Sequence, residues 1–136
     1  MPFVLDASVA LSWCFPDEES TYADSVLGGF ASDSALVPDV WPFEVANGLL
    51  IAQRRRRITD HDVGVARGIL LDLPIEVAHQ TLDEALGAVL ELARAQRLSS
   101  YDATYLALAM RHGLPLATLD VGLRAAAADL GVPIVG

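Results

Sequence analysis

Four acidic side chains stand where acids are uncommon: Asp6 in VLDASVAL, Glu44 in PFEVANGL, Asp102 in SSYDATYLALA and Asp120 in LATLDVGL. Carboxylates are almost never buried among apolar residues unless they are paired or bound to something. Each also has a local reading. Asp6 and Asp120 are suited to cap the helices that follow them, Glu44 to complement a helix dipole, and Asp102 to share a capping box with Ser99. Four such coincidences are harder to accept together. Asp60, Asp62, Glu84 and Glu91 stand among polar neighbours, and these four do not. If the four converge, they cannot all stay ionised without a compensating charge. Oxygen donors without Cys or paired His suit Mg²⁺ or Mn²⁺ rather than zinc. Such ions activate water and stabilise the attacking and leaving oxygens of a phosphodiester displacement.

The elements that must position these acids alternate in type. PFVLD (2–6) reads as a buried strand ending at Asp6, ALVP (35–38) as a second and IEVA (75–78) as a third. PLATLD supplies a fourth strand, with Asp120 at its end, and VPIV closes the chain as a fifth. Residues 17–30 read as a helix with Asp17 as N-cap. Pro42 opens another helix that runs into the arginines, and Thr59 caps one through Leu71. A long amphipathic helix is predicted over 82–97, with Leu82, Leu86, Val89, Leu90 and Ala93 on its buried side. Helices over 101–112 and from Val121 to Gly131 complete the set. Alternating strands and helices predict an α/β domain with a mostly parallel sheet, and ligands of such sheets bind beyond the carboxyl ends of the strands. Asp6 and Asp120 both belong to that edge.

Composition bounds the rest. The 136 residues suit one domain over 1–136. They are 53% hydrophobic and 20% charged, with a mean hydropathy of +0.40, which hints at surface reserved for a partner. No apolar run reaches the ~18 residues of a membrane span and no leader pattern opens the chain, so the expectation is a cytoplasmic protein without membrane contact. All nine basic residues are Arg, against eighteen acids, for a net charge of −9. That balance disfavours broad attraction to nucleic acid but allows a local basic patch, or acids whose partner is a cation. The one cysteine, Cys14 between Trp13 and Phe15, reads as a small core residue.

The ordered set VLDAS, PFEVANGL, SSYDATYLALA and LATLD resembles the PIN-domain family, and within it the VapC-type ribonuclease toxins of toxin–antitoxin pairs. The likeness covers almost the whole chain. It implies a PIN-like three-layer α/β/α sandwich and a divalent-metal-dependent endoribonuclease. It also implies an RNA substrate, a homodimer and a small antitoxin that covers the site. The family's acids fall on Asp6, Glu44, Asp102 and Asp120, with Asp6 and Asp102 as direct metal ligands. Glu44 and Asp120 would serve a second ion or act through water. Ser8 and Thr118 match the family's small polar positions and would orient carboxylates. Asn47, three residues after Glu44 and so on the same helix face, is a supporting candidate.

The cluster Arg54, Arg55, Arg56 and Arg57 is either a solvated helix end or a contact for RNA. Trp13, Trp41 and Phe43 read as core, with base stacking or a partner helix as the alternative. His61, His79 and His112 lack ligand spacing. A phosphoacceptor or dehalogenase-like phosphatase is disfavoured, because such sites use a Lys and the chain has none, and because Asp6 is not followed by a second Asp two residues on. The remaining alternative is a non-catalytic PIN-like protein-binding module, whose acids would be indifferent to metal.

Overall fold

The computed structural model describes residues 1–136. Its elements are β1 (Phe3–Leu5), α1 (Ala7–Cys14), α2 (Thr21–Gly29), β2 (Ala35–Pro38), α3 (Trp41–Arg54), α4 (Asp60–Asp72) and β3 (Ile75–Ala78). They continue with α5 (Leu82–Glu84), a π-helical turn (Ala85–Val89), α6 (Leu90–Gln96), α7 (Ser100–His112), β4 (Leu116–Ala117) and α8 (Val121–Leu130). The four strands form one parallel sheet in the order β3-β2-β1-β4. Val4 pairs with Leu36 on one side and Leu116 on the other, so β1 is central. Its residues Phe3, Val4 and Leu5 are buried, as an apolar strand covered on both faces must be. Helices flank the sheet in the α/β/α arrangement, and no helix is long and apolar enough to cross a membrane.

Local chemistry explains most boundaries. Thr59 forms a full capping box with Asp62 at the start of α4, and Pro42 lies in the first turn of α3. Gly113 ends α7 at φ +64°, a left-handed conformation that glycine adopts without strain. Gly48 lets α3 approach α1 closely: a Cβ there would lie 2.7 Å from Leu11 Cδ1. That approach sits one turn beyond Glu44 and fixes where its helix begins relative to β1 and α1.

Four expectations are corrected. Helix α1 begins immediately after Asp6, in a stretch whose apolar pattern marks no helix, and the Asp6 side chain makes no capping hydrogen bond to it. The helix is buried on several sides, so its apolar residues carry no helical stripe. The helix predicted from residue 17 begins at Thr21, because Ser20 accepts a hydrogen bond from Ala23 N (3.1 Å) and is the cap. Asp17 lies outside the helix. The VPIV strand reduces to a single parallel bridge between Leu116 and Ile134. The 82–97 helix is interrupted by the π-helical turn, whose extra residue shifts the phase of the apolar stripe. Val89 and Ala93 are buried against Ala103, whereas Leu82, Leu86 and Leu90 point to solvent.

Candidate active site

Four helix N-termini meet around the acids at the carboxyl edge of the sheet. Asp6 ends β1 and stands at the N-cap of α1, and Asp120 is the N-cap of α8. Glu44 and Asp102 lie in the first turns of α3 and α7. The positive ends of these helix dipoles oppose the accumulated negative charge.

Asp6 is 6% exposed and its Oδ2 accepts two hydrogen bonds, from Ser8 Oγ and from Thr118 Oγ1, each at 2.6 Å. The hydroxyls are themselves oriented. Ser8 Oγ accepts from Leu119 N (3.1 Å) and Thr118 Oγ1 from Asp120 N (3.0 Å), which leaves each O–H proton for Asp6. Oδ1 of Asp6 receives no hydrogen bond and is the atom left for a ligand. Thr118 is fully buried, and its carbonyl accepts from Arg124 Nε at 2.8 Å. Asp120 caps α8 through Oδ1, which accepts from Leu123 N at 2.8 Å. The capping reading of that residue is therefore satisfied together with its place in the cluster. Ser99 Oγ accepts from Asp102 N at 3.0 Å, the first half of the expected capping box. Glu44 Oε1 accepts a hydrogen bond from Tyr105 OH at 2.5 Å.

The acids feel one another. Burial raises the Asp6 carboxyl above the usual carboxylate range; the Ser8 and Thr118 hydrogen bonds oppose that rise, and the charges of Asp102 and Asp120 add to it. Glu44 is raised by burial, relieved by Tyr105, and pushed up further by Asp6 and Asp102. Asp102 is raised by burial and then by Asp120, with Ser99 opposing. No arginine or histidine forms an ion pair with any of the four.

This donor set has the chemistry of a site for a hard divalent cation: oxygen only, crowded negative charge, and a buried carboxylate with one oxygen free. The side chains are not gathered on a common point, since no three Asp, Glu, His or Cys groups are close enough to hold an ion as they stand. The fit is therefore one of donor type and charge.

Other candidates separate. Asn47 is exposed and donates to none of the acids. Arg57 lies over the Phe15 ring at 4.1 Å, donates to both carboxylate oxygens of Asp17 (3.1 and 3.0 Å) and reaches Glu18 at 3.1 Å. Arg54, Arg55 and Arg56 are exposed and form no ion pair. Trp13 donates to Ala23 O at 2.7 Å and Trp41 is buried, so both are packing residues, whereas Phe43 is 75% exposed beside Glu44. Cys14 is buried, its thiol pushed up to about 11 by burial. Tyr105 was not singled out by the sequence pattern. Its only signal there is its place three residues after Asp102, on the same face of α7.

The four-stranded parallel sheet flanked by helices places the protein in the α/β class, and residues 3–129 match the PIN domain family. The chain belongs to the PIN domain family, whose members are usually metal-dependent nucleases. No curated protein matches it in sequence. Among solved structures, PAE2754 from Pyrobaculum aerophilum is similar with a TM-score of 0.67 and 24% identity, covering 93% of this chain and 87% of that one. FitAcB from Neisseria gonorrhoeae is similar with a TM-score of 0.65 and 16% identity, covering 100% of this chain and 97% of that one. At these identities the two structures share the fold.

Proposed function

We propose that this protein is a divalent-metal-dependent endoribonuclease and the toxin of a type II toxin–antitoxin pair. The observation that carries this reading is the meeting of Asp6, Glu44, Asp102 and Asp120 at four helix N-termini with no cationic side chain among them. Asp6, through its free Oδ1, and Asp102 would hold Mg²⁺ or Mn²⁺, with Glu44 and Asp120 beside them. When bound, the cation supplies a nucleophilic water at neutral pH and neutralises charge on the phosphate. Ser8 and Thr118 keep Asp6 in one orientation. The N-termini of α1, α3, α7 and α8 favour an anionic phosphodiester at the same edge. No histidine stands among the acids to promote cyclisation by the 2′-hydroxyl, so the products carry a 5′-phosphate and a 3′-hydroxyl.

The likeness to toxins of this type also supports an antitoxin partner and a homodimer. A groove of about 390 Å³ between α3 and α4, lined by Trp41, Val45, Leu49, Leu70 and Leu71, begins on the same helical turn as Glu44 and offers an antitoxin helix an apolar seat. The outward Leu82, Leu86 and Leu90 give a second copy apolar surface to cover.

The test is cleavage of a small-RNA pool by the purified protein with Mg²⁺, Mn²⁺ or EDTA, beside Asp102→Asn. Metal-dependent cutting should fall by at least about 100-fold in the variant, since loss of a ligand exceeds loss of its supporting partners. Cutting that survives EDTA, or survives in Asp102→Asn, would overturn the site. Absence of both cutting and metal binding would favour the protein-binding module.

A further inference from the structure

Tyr105 is fully exposed to the core and not at all to solvent, at 0% accessibility, among the residues that pack α7 against the sheet. A phenylalanine would fill the same volume without burying a hydroxyl. A buried hydroxyl is costly unless it is hydrogen-bonded. This one has a single side-chain partner, Glu44 Oε1 at 2.5 Å, sixty-one residues away in sequence and on a different helix. The contact ties α7 to α3 at the carboxyl edge of the sheet.

Glu44 needs such a contact more than its neighbours do. Asp6 is held by two hydroxyls, and Asp120 by the Leu123 N–H. Both have short side chains. Glu44 has one more rotatable bond and accepts no hydrogen bond other than that of Tyr105. Without it, the carboxylate is free to swing toward solvent, which its rotamer entropy and the repulsion of Asp6 and Asp102 both favour. With it, Oε1 is occupied on one side and Oε2 stays available.

We infer that Tyr105 is a positioning residue of this site: its hydroxyl fixes the Glu44 carboxylate in the orientation that serves a bound divalent cation. The inference rests on the proposed cation site, and its own failure can be told apart. Tyr105 reaches no ligand itself and acts through Glu44. Its loss is therefore visible only while Glu44 is present.

The experiment is a double-mutant cycle read by Mn²⁺ binding, followed by the electron paramagnetic resonance of the free ion, on wild type, Tyr105→Phe, Glu44→Ala and the double variant. Tyr105→Phe should weaken Mn²⁺ binding by about 10- to 100-fold, the range for partners that orient a metal ligand. In the Glu44→Ala background the same change should matter by less than about twofold, because coupled residues are not additive. Equal losses in both backgrounds would mean that Tyr105 acts through packing and would overturn the inference. So would a Tyr105→Phe protein that binds Mn²⁺ as wild type does. A wild type that binds no Mn²⁺ would overturn the cation site and this inference with it.

A second reading comes from the tyrosine itself and does not require Tyr105→Phe to fold. Donation to a carboxylate shifts the near-ultraviolet band of a buried tyrosine to the red. Glu44→Gln keeps an acceptor at Oε1 and should keep most of that shift, whereas Glu44→Ala should lose it. Identical spectra for the two variants would show that the hydroxyl does not depend on Glu44.

Discussion

Asp17 and Glu18 share the guanidinium of Arg57 at the protein surface, while Asp6, Glu44, Asp102 and Asp120 face one another with no arginine among them. Asp17 on one side and Asp6, Glu44 and Asp102 on the other are displaced in opposite directions. Arg57 holds the Asp17 carboxyl below the usual carboxylate range, and burial pushes Asp6, Glu44 and Asp102 above it. At the surface the chain supplies its own counter-charge. Around these acids it supplies hydroxyls, a phenol and helix N-termini, which orient and partly offset the charge without neutralising it, while Arg124 donates to the Thr118 carbonyl and forms no ion pair with them. A chain with nine arginines has the means to pair these acids, and this one leaves them unpaired. That deficit is the electrostatic ground for the cation proposed above.

The comparison is tested most sharply at Thr118. Thr118→Val keeps the shape but removes a proton donor from Asp6 and an acceptor from the Asp120 N–H, in a fully buried position. Loss of one partner from a buried polar pair costs about 1–3 kcal/mol, so thermal unfolding should show a clear drop. Metal-dependent RNA cleavage should fall by about 10- to 100-fold, measured where the variant is still folded. Unchanged cleavage would mean that Ser8 alone orients Asp6.

How much of this was legible beforehand differs residue by residue. The four acids stand out because each interrupts an apolar segment, and the alternation of strands and helices was enough to place two of them at one sheet edge. Ser8 and Thr118 were marked only by family likeness, since a small hydroxyl residue near a strand end has many uses. Tyr105 was not marked at all. A tyrosine in an alanine- and leucine-rich helix reads as core, which it is, and nothing local says that its hydroxyl meets a glutamate on α3. The same limit explains α1 and the leucine stripe. Burial on several sides erases a helical period, and one π-helical turn moves Leu82, Leu86 and Leu90 off the face that a regular helix would bury. Asp17 lost its capping role because Ser20, nearer the helix, fills it.

A smaller effect should follow from pH. A carboxyl that holds its proton more tightly in the folded chain than in the unfolded chain adds stability at low pH, and that stability is lost as pH rises above its ordinary value. For Asp6 and Asp102 the loss begins near 3.8, and for Glu44 near 4.5. Asp6→Asn keeps an oxygen for Ser8 and Thr118 but carries no charge. In EDTA at neutral pH it should therefore melt at a higher temperature than wild type, and the gap should narrow as pH falls toward 4. Added Mn²⁺ should reverse the order, stabilising wild type above the variant. A wild type that is the more stable protein in EDTA at neutral pH would show that the chain already compensates its buried charge.

The smallest effect belongs to the paired group. Arg57→Ala breaks two ion pairs and a contact with the Phe15 ring, all on the surface, where water and salt screen what the charges gain. Its melting temperature should fall only slightly, and by less still at high salt. The sign of its pH dependence is opposite to that of Asp6. Asp17 gains from ionisation, so the contribution of the pair is present above the ordinary value of 3.8 and disappears as pH falls through the lowered one. Because Arg57 is already committed to Asp17 and Glu18, its removal should also leave RNA affinity unchanged, so any basic contact with substrate from this run falls to Arg54, Arg55 and Arg56. A marked loss of RNA binding in Arg57→Ala would show that the pair opens to substrate, and that the surface carboxylates, like those at the sheet edge, serve a partner.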